Sequence, residues 1–294
     1  MKTIRIGTRG SKLALAQAEI VISLMKNIKA DLDIEIQEIH TTGDRLVDVS
    51  LDEIGGKGLF VKDIEMHLLK GDIDVAVHSL KDMPTEIPEG LDLAAFVKRD
   101  DPRDMLFTGG NYTLYSLPKD ARIGTSSLRR KYQLKSERPD IDIVNVRGNV
   151  TTRLDKVDKE LDGVILAAAG IKRLGLKPGV PLEIDTVIPA PGQGVIAIET
   201  RNNDEYMQAL VKGIDHGATR LCSETERTFP RALGADCNFP VAAHAFIVGG
   251  DIILHGMIGD IDRPYLMVKK TIRGRDTSLG RVLAEKLLVE LEKS

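Results

Sequence analysis

The sequence predicts an α/β protein: two similar, doubly wound, mostly parallel-sheet domains joined by hinge strands, then a small α+β domain with a three-stranded antiparallel sheet. Three observations lead there. Strand-like runs of period two alternate with helix-like runs from residue 3 to residue 77, the order that builds parallel sheets. Arg122-Ile-Gly-Thr125 repeats Arg5-Ile-Gly-Thr8, so a second unit starts as the first does. After about residue 216 the pattern changes to paired strands around Gly249-Gly250, a hairpin signal.

Each element has its own reason. Residues 3–7 read as a strand, and Ser11 is placed to cap the helix after it, whose Leu15, Ala18, Val21 and Leu24 form a buried side. Residues 33–40 read as the second strand. Residues 41–58 hold four glycines and little periodicity, the composition of a long functional loop. A helix over 59–70 feeds a strand over 73–77, where Ile73, Val75 and Val77 alternate with Asp74, Ala76 and His78. In the second unit Ser126 or Ser127 caps a helix running to about 137. A strand over 141–146, a helix over 151–161 and an apolar strand over 163–168 follow. Residues 97–103 lead out of the first unit and 188–194 out of the second. A strand over 195–199, more than the second unit needs, returns to the first. The expected domains are 1–97 with 195–213, 102–190, and 216–294. The last contains a helix over 219–228, strands over 241–248, 251–257 and 265–272, and a closing helix over 277–291.

The chemistry-bearing residues gather at strand ends. The strand over 73–77 runs into His78, Ser79, Lys81 and Asp82 before Pro84 stops it, and the carboxyl ends of buried strands are where open α/β sheets place ligands. Taken alone, Lys81-Asp82 reads first as an exposed loop pair, since most surface charges do nothing measurable. Arg9, Lys57, Arg129, Arg130, Arg147 and Arg153 form a basic set at turns and strand ends. Their guanidinium forks bind carboxylates bidentately, so they predict a substrate with many carboxylates or phosphates in one interdomain cleft. Gly124-Thr-Ser-Ser127 offers N–H groups and hydroxyls to an anion, although by itself simple capping is the stronger reading. Of two cysteines, Cys222 reads as a small buried hydrophobe, whereas Cys237, between Asp236 and Asn238, reads as an accessible thiol.

The totals exclude several classes. Net charge is −3 over 294 residues, which advertises neither nucleic acid nor a membrane. Two cysteines are too few for a disulfide framework, and no histidine grouping beside them has zinc-ligand spacing. The start lacks the apolar core of a signal peptide and no run is long enough to span a bilayer, so the expected compartment is the cytoplasm.

In its motifs the chain resembles the porphobilinogen deaminase (hydroxymethylbilane synthase) family. The motifs are Ile6-Gly-Thr-Arg-Gly-Ser11, Gly56-Lys-Gly-Leu-Phe60, Ala76-Val-His-Ser-Leu-Lys-Asp82, Gly124-Thr-Ser-Ser-Leu-Arg-Arg130, Arg147-Gly-Asn-Val-Thr-Thr-Arg153, Ala169-Gly-Ile-Lys-Arg-Leu174, Pro191-Gly-Gln-Gly194 and the Cys237 loop. The resemblance implies a transferase that condenses four porphobilinogen molecules head to tail with loss of ammonia and then releases a linear tetrapyrrole by hydrolysis. It implies a dipyrromethane cofactor, two pyrrole units joined by a thioether to Cys237. It implies that Asp82 contacts pyrrole N–H groups and stabilises the azafulvenium cation. Ser79, Lys81, Thr125, Ser127, Arg129 and Arg130 would hold the cofactor with Asp82, and Arg9, Ser11, Gln17, Arg147, Arg153 and Arg173 would read acetate and propionate groups. Lys57 and Phe60 would lie over the growing chain. The protein would act as a cytoplasmic monomer on a small molecule, without metal, nucleic acid or membrane. The chain departs from the family at Ala235-Asp236, where Gly-Gly is usual.

Two other readings compete. A non-catalytic binder of polycarboxylate ligands shares the two hinged, periplasmic-binding-protein-like domains but leaves Cys237 unexplained. A thiol-dependent acyl transferase needs a base near Cys237, and the nearest candidate, His244, has no evident partner in the sequence.

Overall fold

The computed structural model describes residues 3–41, 61–110, 112–234 and 239–294. It divides into two units, Met1–Asp100 with Val195–Leu221, and Asp101–Gly194 with Cys222–Ser294. The chain therefore passes between units close to the two crossings expected at 97–103 and 188–194.

The first unit opens with β1 (Ile4–Arg9) and α1 (Lys12–Ile28). Ser11 caps that helix by accepting from the N–H of Ala14, and Gln17, Ala18, Val21 and Met25 form its buried face at helical spacing. β2 (Ile34–Ile39), α2 (Lys62–Lys70) and β3 (Val75–Ser79) follow. β3 starts two residues later than the sequence pattern predicts. The carboxylate of Asp74 accepts from both the backbone N–H and the guanidinium of Arg5, so a side chain takes the rung that the Arg5 N–H would make, while the Asp74 N–H still donates to the Arg5 carbonyl. The strand instead runs on through His78 and Ser79 into a 3₁₀ turn, Leu80–Asp82. β4 (Leu91–Phe96) ends this stretch.

The second unit begins with β5 (Asp104–Phe107), β6 (Arg122–Gly124) and α3 (Leu128–Glu137), the last capped by Ser127. Ser126 instead bonds the backbone of Val146. β7 (Asp142–Val144) and α4 (Val150–Leu154) come next. The helix expected over 151–161 stops at Leu154. Asp158 adopts φ 62°, a left-handed conformation that a short polar side chain tolerates and a helix does not. β8 (Gly163–Ala167), α5 (Ala168–Arg173) and β9 (Val180–Pro181) complete the sheet.

After the second crossing β10 (Ile196–Arg201) and α6 (Glu205–Lys212) belong to the first unit. Its sheet has the order β2-β1-β3-β10-β4, with β1 parallel to β2 and β3, and β10 antiparallel to β3 and β4. The second unit repeats this as β7-β6-β8-β5-β9, with β6 parallel to β7 and β8, and β5 antiparallel to β8 and β9. In each sheet the strand that follows a crossing is the one inserted antiparallel beside the parallel core. In the first unit α1 and α6 cover one face through Val21, Met25, Met207 and Val211, and α2 covers the other through Ile64 and Leu68. That two-sided cover makes β1 and β3 buried on both faces.

α7 (Gly217–Ala232) leads from one unit to the other. β11 (Val241–Val248), β12 (Asp251–Gly259) and β13 (Met267–Gly274) form the expected antiparallel sheet. Gly249 and Gly250 take φ 60° and 85°, the two positive angles that a two-residue hairpin of right-twisted strands needs. α8 (Leu279–Glu292) closes the sheet. No described helix is long and apolar enough to cross a membrane.

Candidate active site

Five of the sequence-predicted site residues converge in the first unit. Arg9 ends β1, Ser11 caps α1, Gln17 lies one and a half turns into α1, Ser79 ends β3 and Asp82 ends the 3₁₀ turn. All five line one crevice of about 70 Å³, together with Thr8, His78 and the apolar Val61, Ile64 and Val77. Gln17 is buried, and its side chain exchanges two hydrogen bonds with Ser79, at 2.9 and 3.2 Å. Thr8, also buried, donates toward the carbonyl of Val77. These bonds hold β1, α1 and β3 at the crevice, while Asp82 stays exposed at its mouth. The 3₁₀ turn is anchored beneath by Leu80, which is buried and whose N–H donates to the carbonyl of Val195. Lys81 sits on the same turn, half-buried.

His78, one of the strand-end residues the sequence singles out, lines this crevice, and it meets a residue that the sequence does not mark as functional. His78 Nε2 lies 2.9 Å from Glu199 Oε2, with both side chains buried. Glu65, from α2, is also buried. Burial, and then the charge of Glu199, push its carboxyl up from 4.5 to about 7.

In the second unit the basic set behaves differently from a row of solvated arginines. Arg129 and Arg130 turn inward. Arg129 Nη1 is 2.8 Å from Asp104 Oδ2, and Arg130 Nη2 is 2.7 Å from Asp104 Oδ1, with all three side chains buried. Burial alone pushes the Asp104 carboxyl up; the two guanidiniums overcome this and hold it well below the usual carboxylate range. Burial lowers Arg129 from its ordinary value, against the attraction of Asp104. Arg129 also donates to the carbonyl of Ile188, and Arg130 to that of Ile165. Thr125, at the βα turn, is buried and accepts from the N–H of Ser127. Arg153 donates to the carbonyl of Gly148. Burial lowers its pKa, and Arg130 and Arg147 lower it further, so these three cations crowd one another. Two guanidiniums share the single carboxylate of Asp104, and Nε of Arg130 is buried without a hydrogen-bond partner among the described residues. An anion with several carboxylates fits this donor set, so the residues present suit a dipyrromethane. Arg173 donates to the carbonyl of Gly194 at 2.6 Å.

Lys57, Phe60, Ala235, Asp236 and Cys237 lie outside the described residues, as does the expected loop from residue 42 onward. Cys222 is buried in α7, as its sequence setting predicts. His244 does have a partner, contrary to its reading in the sequence: its Nδ1 is 3.4 Å from Glu226 Oε1. Glu226 is itself spent on structure, accepting from the N–H groups of Gly192 and Ala245. A shallower hollow of about 490 Å³ beside α8, lined by Lys270, Glu285, Lys286, Val289, Glu290 and Lys293, contains none of the candidate residues.

Residues 4–209 match the family described as porphobilinogen deaminase, dipyromethane cofactor binding domain, and residues 220–289 match porphobilinogen deaminase, C-terminal domain. The porphobilinogen deaminase of Syntrophomonas wolfei subsp. wolfei is 49% identical over 265 residues, covering 89% of this chain and 87% of the relative. That of Brevibacillus brevis is 45% identical over 291 residues, covering 97% and 94%. Among solved structures, the methionine-binding protein MetQ has 16% identity and a TM-score of 0.46, covering 72% of this chain and 89% of its own. The two profiles together run nearly end to end, and the relatives are matched over most of their length: the chain belongs to the porphobilinogen deaminase family.

Proposed function

We propose that the crevice at the end of β3 is where this chain works as a hydroxymethylbilane synthase. The reaction is the stepwise head-to-tail condensation of four porphobilinogen molecules with release of ammonia, followed by hydrolytic release of the linear tetrapyrrole. The observation that carries the placement is the convergence of Arg9, Ser11, Gln17, Ser79 and Asp82 on one crevice from two distant stretches of the chain, residues 9–17 and 79–82.

The roles follow from the chemistry of each group. Asp82 accepts hydrogen bonds from pyrrole N–H groups and faces the positive charge that develops on the substrate carbon as ammonia leaves. A carboxylate 4 Å from a unit charge contributes about 1 kcal/mol in water but about 4 kcal/mol at an effective dielectric near 20. The exposed Asp82 thus becomes effective as bound substrate displaces water around it. Arg9, Ser11, Gln17, Arg147, Arg153 and Arg173 read the substrate's acetate and propionate groups, and Lys57 and Phe60 lie over the growing chain. Ser79, Lys81, Thr125, Ser127, Arg129 and Arg130 hold a dipyrromethane attached to the sulfur of Cys237. When bound, that group supplies the free pyrrole end from which the product is extended. Asp104 pairs with Arg129 and Arg130 and fixes their orientation in the interior.

The same reading makes the chain a cytoplasmic monomer of three domains, 1–97 with 195–213, 102–190 and 216–294. In support, each of the three sheets falls within one of these ranges. Intact mass tests the tether. Purified protein exceeds its sequence mass by two linked pyrrole units, and a reductant does not remove the excess. Cys237→Ser lacks the adduct. Protein at bare mass that neither gains the adduct nor consumes porphobilinogen is a binder instead.

A further inference from the structure

The Pro191-Gly-Gln-Gly194 motif has no task in the roles above, and it lies against the buried arginine pair of the second unit. Residues 190–193 form a tight turn. The N–H of Gln193 donates to the carbonyl of Ala190, with Pro191 second and Gly192 third at φ 74°, the pattern of a type II turn. Neighbouring side chains hold this turn. Glu226 Oε2 accepts from the N–H of Gly192, and Arg173 donates to the carbonyl of Gly194.

The turn carries the side chain of Gln193 into the interior, where the residue is 1% exposed. Its Nε2 donates to the carbonyl of Pro102 at 2.7 Å and to Asp104 Oδ1 at 2.9 Å. A carbonyl and an ionised carboxylate only accept, so the N–H side of the amide has to face them. The other end of the amide, Oε1, is buried without a hydrogen-bond partner among the described residues. A side chain needed for packing alone would be apolar here, because a buried, unpaired amide oxygen costs free energy.

Asp104 is what this amide holds. The terminal torsion of an aspartate is soft, yet this carboxylate presents one oxygen to each guanidinium. Oδ1 takes Nη2 of Arg130 at 2.7 Å together with Nε2 of Gln193, which leaves Oδ2 toward Nη1 of Arg129 at 2.8 Å. The same stretch of chain is tied down at its other end. Gln133, on α3, accepts from the N–H of Ile188 and donates to its carbonyl, and Arg129 donates to that carbonyl as well. Residues 188–193 are thus fastened to the arginine pair at both ends.

We propose that Gln193 is a positioning residue for Arg129 and Arg130: its amide fixes the Asp104 carboxylate, which sets the two guanidiniums for the carboxylate groups of the bound pyrroles. This rests on the reading that these arginines hold the dipyrromethane. The amide N–H groups of Gln193 are spent on Pro102 and Asp104, so Gln193 acts through the arginines and not on a pyrrole. Its signature is therefore where the tethered group sits, with the incoming porphobilinogen bound as before.

The test compares purified wild type, Gln193→Met, Gln193→Asn and Gly280→Ala. Intact mass gives the fraction carrying the two-pyrrole adduct, kinetics give kcat and KM for porphobilinogen, and denaturation gives stability. Gln193→Met keeps the volume and the charge but donates nothing. Gln193→Asn keeps an amide that is one methylene too short to reach both acceptors. Gly280→Ala is the control for lost stability, since its Cβ would crowd Thr225 and Phe229 of α7 instead. In both Gln193 variants the adduct-bearing fraction falls. The kcat of the loaded enzyme falls on the order of tenfold, the scale of a sub-ångström misplacement, while KM stays within about twofold of the wild type. Gly280→Ala keeps the wild-type fraction and kcat. A fall in either quantity in a Gln193 variant, absent from Gly280→Ala, supports the inference. Gln193 variants that match Gly280→Ala in both overturn it and leave Gln193 to stability alone. If Gln193→Met fails to fold, Gln193→Asn decides in the same way. Wild-type protein at bare mass overturns the reading of the arginines as cofactor holders instead, which separates the two failures.

Discussion

Nη2 of Arg130 lies 2.7 Å from Oδ1 of Asp104, and both side chains are buried. With Arg129 on the second oxygen, one carboxylate serves two buried guanidiniums. Asp104→Asn leaves both uncompensated in the interior. The expected loss is about 3–5 kcal/mol, the range for breaking a buried pair from one side, measured by chemical denaturation at pH 7. Because the Asp104 carboxyl is held below its unfolded value of 3.8, its contribution is present above that pH and is lost as the solution is acidified through the lower folded value. A variant as stable as the wild type contradicts the pairing.

Gln17 and Ser79 exchange hydrogen bonds across the crevice, and Gln17 is buried. Gln17→Met keeps the volume and removes both bonds, leaving the hydroxyl of Ser79 without its partner. Stability falls by about 1–2 kcal/mol. Since the pair also lines the crevice, KM for porphobilinogen rises. An unchanged KM with the stability loss present assigns Gln17 to packing alone.

Glu65 has its own stability signature. Its folded pKa is about 7 against an ordinary 4.5, so the folded state binds the proton more tightly. The sign follows: stability is unaffected below about 4.5, declines as pH rises toward 7, and stays reduced above that. Glu65→Gln escapes the decline. It is expected to exceed the wild type by on the order of 2–3 kcal/mol at pH 8 and to match it near pH 4.5. Parallel denaturation curves at both pH values test this; a constant offset contradicts it.

Gly280 opens α8 against α7 so closely that a Cβ would sit 2.5 Å from the carbonyl oxygen of Thr225 and 2.6 Å from the N of Phe229. Both are backbone atoms within a helix and cannot swing aside. Gly280→Ala therefore destabilises the C-terminal part of the chain by about 1–3 kcal/mol or more. Thermal unfolding reads this directly, and an unaltered Tm contradicts the close packing.

The parts of the fold legible in the sequence are those with local causes. Ser11 and Ser127 cap helices because their oxygens reach N–H groups three residues on. The repeated Arg-Ile-Gly-Thr marks equivalent strand ends in two sheets of the same order. Ser79, Lys81 and Asp82 stand at a strand end because polar residues follow an alternating run. What escaped the sequence is non-local. Period two says nothing of strand direction, so the antiparallel insertion of β5 and β10 is invisible in it. Asp104 heads a four-residue strand, and its partners lie 25 and 26 residues on, with no pattern linking them. Glu199 follows Ile196, Ala197 and Ile198, and alternation places it on a face that only the cover by α2 makes interior. A lone glutamate in a strand buried on both faces is the signal that could have found it.

Asp82 lines the crevice built by β1, α1 and β3, and its proposed task there is to stabilise the charge that forms as ammonia leaves. Ammonia release from porphobilinogen by Asp82→Ala holoenzyme measures it most directly, with denaturation checking that the fold is intact. Wild-type stability and a rate lower by on the order of 100-fold or more are expected, the effect of removing one aligned charge-stabilising group. A rate within about threefold of the wild type, less than 1 kcal/mol of barrier, contradicts it.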